Sequence, residues 1–226
     1  MVKASQTSRG ALLAGGSGLV GRALLAQLLA EDGLQVHALL RREVPDLPTS
    51  PRLTRHLIDF AQPGALPAAS ELYIALGTTI KAAGSQAAFR AVDLDAVVNV
   101  ARAARAAGVR RAAVVSALGA DASSSAFYNR VKGDMEAQLT ALGFDRLVIA
   151  RPSLLAGERG TLGQPLRLGE RLALTVLGPI AGLLPARVRP IEAAAVARAM
   201  RAALRRDGPA IQIVESAELQ SLGGGA

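Results

Sequence analysis

The chain contains no cysteine and no tryptophan. Without thiols, a disulfide scaffold, a cysteine nucleophile and every thiolate metal site are excluded. Only two histidines are present, His37 and His56, so a zinc cluster would need carboxylates in unusual numbers and no metal is expected. Aromatic residues make up 3% of the chain, too few for the stacking platforms that hold single-stranded nucleic acid. Lysine is scarce as well: of 26 basic residues, all but Lys3, Lys81 and Lys132 are arginine. The formal charge of +8 is therefore carried by guanidiniums, which are spread along the sequence. That distribution reads as a solvated surface, and nucleic acid is not an expected partner.

Unbroken apolar runs are also missing. Gly10 to Ala30, preceded by Lys3 and Arg9, has the outline of an export signal. Gly15, Gly16, Gly18 and Gly21 interrupt it, however, and Arg22 lies inside it. A strand, a glycine turn and a helix explain the same residues better. Leu172 to Ala186 is too short to span a bilayer and contains Gly178, Pro179, Gly182 and Pro185. The sequence reads as a soluble, cytoplasmic protein with no stable membrane insertion. Half of its 226 residues are hydrophobic, enough to bury the core of a single domain.

Strand and helix patterns alternate. Short apolar strands are predicted at 11–14, 35–40, 53–58, 72–76, 112–116, 146–150 and 211–214. Between them helices are predicted at 18–30, 86–107, about 125–142 and 191–204. Residues 1–9 and 222–226 read as frayed ends. This alternation predicts an α/β fold, a Rossmann-type doubly wound parallel sheet with helices on both faces, in one domain. Ligands of such sheets bind at the carboxyl ends of the strands.

The polar motifs fall at those ends. Gly15-x-x-Gly18-x-x-Gly21 lies between the first strand and the first helix, where missing side chains let backbone approach a pyrophosphate. Arg41 and Arg42 end the second strand. A dinucleotide site that selects NAD usually carries an acid there to bind the ribose hydroxyls. Two guanidiniums suit the 2′-phosphate of NADP instead, although an arginine-rich chain also places such pairs in solvent. Tyr128 and Lys132 are four residues apart in a predicted helix and so share a face. A nearby ammonium favours the phenolate form, which acid–base chemistry uses. Ser116 ends the fifth strand and could orient a substrate oxygen, a role for which Ser123, Ser124 and Ser125 compete. Weaker signals are Asp59, Gly77 with Thr78, Asp93, Asn99 and Arg151-Pro152-Ser153, each also readable as a turn or strand terminator.

In order and spacing, Gly15-x-x-Gly18-x-x-Gly21, Ser116 and Tyr128-x-x-x-Lys132 resemble the short-chain dehydrogenase/reductase superfamily in its compact, atypical branch. Leu76-Gly77-Thr78-Thr79, Val92-Asp93, Ser116-x-x-Gly119-Ala120-Asp121 and Lys132-Gly133-x-x-Glu136 are similar to the Tat-interacting-protein-like oxidoreductases. The resemblance implies hydride transfer between a nicotinamide, NADP rather than NAD, and a small carbonyl or alcohol. It implies Tyr128 as the acid–base residue, Lys132 as its partner and ribose contact, and Ser116 as the hydroxyl that orients substrate. Gly15, Ser17, Gly18, Leu19 and Gly21 would line the phosphate loop, with Arg41 and Arg42 on the 2′-phosphate. Asp59 would face the adenine, Gly77 and Thr78 would run beside the cofactor, and Pro152 would border the nicotinamide. The chain departs from the family at Ala117, where relatives often carry a second serine, and at Asp93, where asparagine is frequent. A cofactor-binding regulator without turnover is the alternative. Residues 157–190, and the apolar Leu172 to Pro185 within them, are a candidate substrate lid or self-association face, which leaves a homo-oligomer open.

Overall fold

The structure, a computed structural model, describes residues 9–156 and 185–224. Nine strands are described: β1 (Arg9–Ala14), β2 (Leu34–Leu40), β3 (Leu53–Leu57), β4 (Glu71–Ile74), β5 (Arg111–Val115), β6 (Arg146–Arg151), β7 (Leu155–Ala156), β8 (Ile191–Glu192) and β9 (Ile211–Glu215). Seven of them form one sheet in the order β3-β2-β1-β4-β5-β6-β9, while β7 and β8 pair separately. Every neighbouring pair is parallel. The sheet is the predicted doubly wound one.

The central strands are short apolar runs because both their faces are covered. Leu13, Val36, Ala38, Tyr73, Ala113 and Val148 pack under α1 (Leu19–Leu29), α6 (Ala193–Arg205) and α7 (Ser216–Gly223). Leu12, Leu39, Leu72, Ile74, Val114 and Ile149 face α4 (Val97–Ala106) and α5 (Phe127–Thr140). The period-two alternation along each strand thus divides one sheet between two cores. Chain order reverses at β1, whose neighbours are β2 and β4. That is the crevice where a parallel sheet takes its ligand.

Several elements differ from the sequence expectation. The long helix predicted over 86–107 is three pieces: α3 (Gln86–Arg90), a π-helical segment (Ala91–Ala96) and α4. The wider π turn draws Asp93 inward to a cation on α5 while Leu94, Val97 and Val98 keep the apolar face. The short helix α2 (Ile80–Ala83) and the two-residue strands β7 and β8 were not anticipated. Of the ends expected to fray, residues 1–8, 225 and 226 lie outside the described residues; three of the described ones belong to regular elements. Arg9 belongs to β1, and Leu222 and Gly223 belong to α7, which is held by burial of Leu219 and Gly223. The candidate lid at 157–190 falls largely outside the described residues. Among the described residues no helix is long and apolar enough to cross a membrane.

Candidate functional site

The loop between β1 and α1 occupies the switch point. Gly15 has φ +91°, and a β-carbon there would lie 2.5 Å from the Ala75 carbonyl. Only glycine lets this loop cross the end of β4 so closely. A β-carbon on Gly21 would sit 1.9 Å from the Gly15 oxygen, so Gly21 allows α1 to pack against its own entry loop. Gly18 is different. Its φ is −83°, and a β-carbon would meet protein only at 3.5 Å, an ordinary contact. Nothing in the fold requires glycine there, and the space it leaves is open to a ligand.

Gly18 is also the N-cap of α1, and no side chain caps that helix. Its first turn carries no acidic residue. The amides of Leu19, Val20 and Gly21 are left as first-turn donors at the positive end of the helix dipole. A dinucleotide pyrophosphate fits this cradle: a backbone without side chains, uncapped amides and no opposing carboxylate. Arg22 braces the cradle from inside. It donates to the Ser17 carbonyl at 3.3 Å and pairs with Asp46 in the loop after β2.

Arg41 and Arg42 follow the end of β2 and are exposed, with no hydrogen bond or ion pair to a described residue. They lie on the strand adjoining the cradle. Asp59 sits one strand further out, at the end of β3, where its carboxylate accepts from the Ala61 amide at 2.8 Å. Asn99 holds the same turn by donating to the Ala61 carbonyl at 3.0 Å. On the other side of β1, Gly77 and Thr78 follow β4, and the Thr78 amide donates to Asp93 at 2.7 Å.

The expected acid–base residues lie on α5, which begins at Phe127 and brings Tyr128 and Lys132 to one face. Tyr128 keeps 37% of its surface exposed, and its ring lies 5.4 Å from that of Phe89. Lys132 is buried and its ammonium contacts Asp93 at 2.7 Å. The next turn of this face carries Glu136, which faces Ser116 at the end of β5. The Ser116 hydroxyl donates to Glu136. Glu136 is gripped in turn by Arg151, through Nε at 3.0 Å and Nη2 at 2.6 Å, and Arg151 reaches Glu215 at 3.1 Å. Side-chain bonds to both carboxylates raise the Arg151 pKa above its ordinary value. Pro152 is buried, and its carbonyl accepts from the Leu118 amide at 3.0 Å, tying the loop after β5 to the end of β6. The i, i+4, i+8 spacing of Tyr128, Lys132 and Glu136 was the sequence signal for this second cluster. Its arginine partner, on another strand, left no local signal.

Comparison with known proteins agrees with this geometry. A family model described as NAD(P)H-binding matches residues 15–172. A protein of Eremothecium gossypii named "Protein FMP52, mitochondrial" is 36% identical over 219 residues, spanning 94% of this chain and 96% of its own. The mitochondrial FMP52-1 of Scheffersomyces stipitis is 34% identical, covering 94% of this chain and 97% of its own. These designations overturn the cytoplasmic expectation. It rested on the glycine-broken stretch not being an export signal, which does not fix a compartment.

Among solved structures, MoeE5 in complex with UDP-glucose and NAD superposes with a TM-score of 0.67 at 17% identity, over 96% of this chain and 81% of that one. The Helicobacter pylori ADP-L-glycero-D-manno-heptose-6-epimerase gives 0.69 at 14% identity, over 96% and 82%. Both share the fold. The family match over the glycine cradle and α5, together with relatives aligned over nearly their whole length, places this chain in the NAD(P)H-binding family.

Proposed function

We propose that the protein is an NADP-preferring oxidoreductase of the short-chain dehydrogenase/reductase type, acting on a small carbonyl or alcohol. The resemblance of its motifs to the Tat-interacting-protein-like branch belongs to this reading. The observation that carries it is the placement of Tyr128, still solvent-accessible, one helical turn from a buried, charge-paired lysine on the helix that follows β5. A solvent-facing phenol one helical turn from a fixed ammonium is suited to passing a proton to or from a substrate oxygen.

Gly18 and the first-turn amides of α1 would hold the pyrophosphate, and Arg41 and Arg42 the 2′-phosphate. Held there, a nicotinamide dinucleotide would supply or accept the hydride. Tyr128 gives its phenolic proton to the substrate oxygen as a carbonyl becomes an alcohol, and takes one back in the reverse direction. Lys132 holds positive charge beside the phenol in both. A second reading, a nucleotide-binding regulator without turnover, draws support from Ser116, whose hydroxyl is already given to Glu136.

Nucleotide titration together with a Tyr128→Phe variant separates these possibilities. With no tryptophan in the chain, bound NADPH fluorescence is read without that background. NADPH is expected to bind more tightly than NADH, and Arg41→Ala/Arg42→Ala to weaken NADPH by about 10- to 100-fold while leaving NADH unchanged. Tyr128→Phe is expected to bind NADPH normally and to lose about 100-fold or more in carbonyl reduction. Failure of the wild type to bind either nucleotide would sink the oxidoreductase reading. Normal binding with a biological output that survives Tyr128→Phe selects the regulator.

A further inference from the structure

The Lys132–Asp93 pair is buried on both sides, with side-chain exposures of 4% and 1%. The Arg151–Glu136 pair, at 19% and 7%, is not so deep. Withdrawing two charges from water is costly, and their attraction roughly offsets that cost. Apolar residues of the same shape would stabilise the fold as well. The pair therefore needs a reason other than stability.

Three features tie it to the site. Asp93 sits in the π-helical segment, a rare geometry that recurs at functional positions. Its second oxygen accepts from the Thr78 amide at 2.7 Å, so one carboxylate joins the loop after β4 to the lysine. That lysine lies one turn from Tyr128, whose ring rests on Phe89, three residues before the π segment's Val92. Other charged groups on the packed elements have their own partners. Arg90 of α3 pairs with Asp134 at 3.6 Å, Arg130 donates to the Ser124 carbonyl at 2.7 Å, and Glu136 is taken by Arg151. Asp95 is exposed to solvent, and Arg102 of α4 turns to Asn99. The carboxylate in direct contact with the Lys132 ammonium is that of Asp93.

An isolated ammonium would draw the phenolic proton off Tyr128. A carboxylate at 2.7 Å cancels much of that field, because a neighbouring pair acts at a distance as a dipole instead of a charge. We propose that Asp93 is the positioning residue of this site, fixing Lys132 beside Tyr128 and offsetting its charge so that Tyr128 keeps its proton and the centre favours carbonyl reduction. The proposal rests on the oxidoreductase reading for its direction, but its charge coupling does not depend on turnover.

The chain offers an unusually clean readout. It has two tyrosines and no tryptophan. Tyr73 is buried and donates to Glu71 at 2.9 Å; burial first, and the Glu71 charge second, push its ionisation far upward. A tyrosinate absorbance titration thus reports Tyr128 alone. Asp93→Asn is expected to move the midpoint to lower pH, and Lys132→Gln to higher pH because it strands the carboxylate. The double variant, which replaces both charges with amides, is expected to fall between those two.

A midpoint unchanged in Asp93→Asn, with thermal stability and circular dichroism also unchanged, overturns the proposal. Should Asp93→Asn fail to fold, the comparison of Lys132→Gln with the double variant decides: coincident midpoints overturn it, and a lower midpoint in the double variant supports it. A purely structural Asp93 would change stability and leave the order of midpoints untouched. NADPH titration of the same proteins keeps the two questions apart. A wild type that binds neither nucleotide removes the reductive bias along with the oxidoreductase reading, whatever the absorbance order.

Discussion

A methyl group tells Gly18 and Gly21 apart. At Gly21 it would lie 1.9 Å from the Gly15 oxygen, a distance no repacking of side chains relieves, since both groups belong to backbone. Gly21→Ala is expected to push α1 off its loop and destabilise the protein by about 3 kcal/mol or more. At Gly18 the same methyl finds an ordinary contact at 3.5 Å in a conformation any residue adopts. Gly18→Ala is expected to melt within about 1 kcal/mol of the wild type, the cost of a poorer N-cap residue without any backbone clash. Its NADPH affinity is expected to drop at least about tenfold, because the methyl enters the space left for a pyrophosphate. Thermal melts and fluorescence titrations on the two variants check this, and a Gly18→Ala protein that binds normally would remove the cradle. The glycine triplet was legible in the sequence as a unit, but not this division of labour, which depends on what β4 and the loop bring near. Ser116 teaches the same lesson. Its position at the end of β5 was readable; its bond to Glu136 was not, because the acceptor lies twenty residues on and is fixed by an arginine from another strand.

At the scale of elements, strands were readable wherever both faces are buried. Leu12 to Ala14 and Leu147 to Ala150 show that apolar signature directly. The π segment was not, since its extra residue leaves an alanine-rich helical pattern intact and the cation that its Asp93 meets lies on α5. The outer pair β2–β3 carries a different feature. His37 and His56 approach at 3.0 Å through Nδ1 and Nε2, so one ring must accept what the other donates. Burial lowers both their pKa values below the ordinary 6.5, and the charge of His56 lowers that of His37 further. The sign follows from proton counting. As pH falls through 6.5 the unfolded chain takes up protons before the folded one, so stability is complete above that value and declines through the folded values below it. Double protonation also leaves no acceptor between the rings. Urea midpoints are therefore expected to fall as pH drops below about 6.5, and His37→Gln/His56→Gln to flatten that slope. An equal slope in the double variant would assign it to other groups.

Across the whole molecule, charge is arranged differently at the two ends of the sheet. The carboxyl ends of the strands hold the cradle, Tyr128 and the exposed Arg41 and Arg42. At the opposite end a network ties three elements together: Arg205 of α6 bonds Glu71 at the start of β4 at 2.8 Å and also pairs with Glu31, just past α1. Arg201 and Arg9 reach the same Glu31 at 3.0 and 2.7 Å. Burial alone would raise the Glu31 pKa, but the bonds and charge of Arg205 outweigh it and bring it below the ordinary 4.5. A carboxylate so depressed adds stability above its unfolded value that is lost as pH falls through its folded one. Acid should therefore weaken the protein in two stages, the histidine edge first and this brace second. Arg205→Met removes the brace while keeping the apolar stem of the side chain. It leaves the Glu71 carboxylate, only 6% exposed, with the Tyr73 hydroxyl as its remaining donor. A loss of about 2 kcal/mol is expected, below the value for a fully buried pair because Arg205 is itself partly exposed. NADPH affinity, read well below the melting temperature, is expected to stay at the wild-type value, because the brace stands at the end of the sheet remote from the cradle. A variant that melts normally would show the network to be surface charge without structural weight, and one that melts early and also loses the nucleotide would show the two ends of the sheet to be coupled.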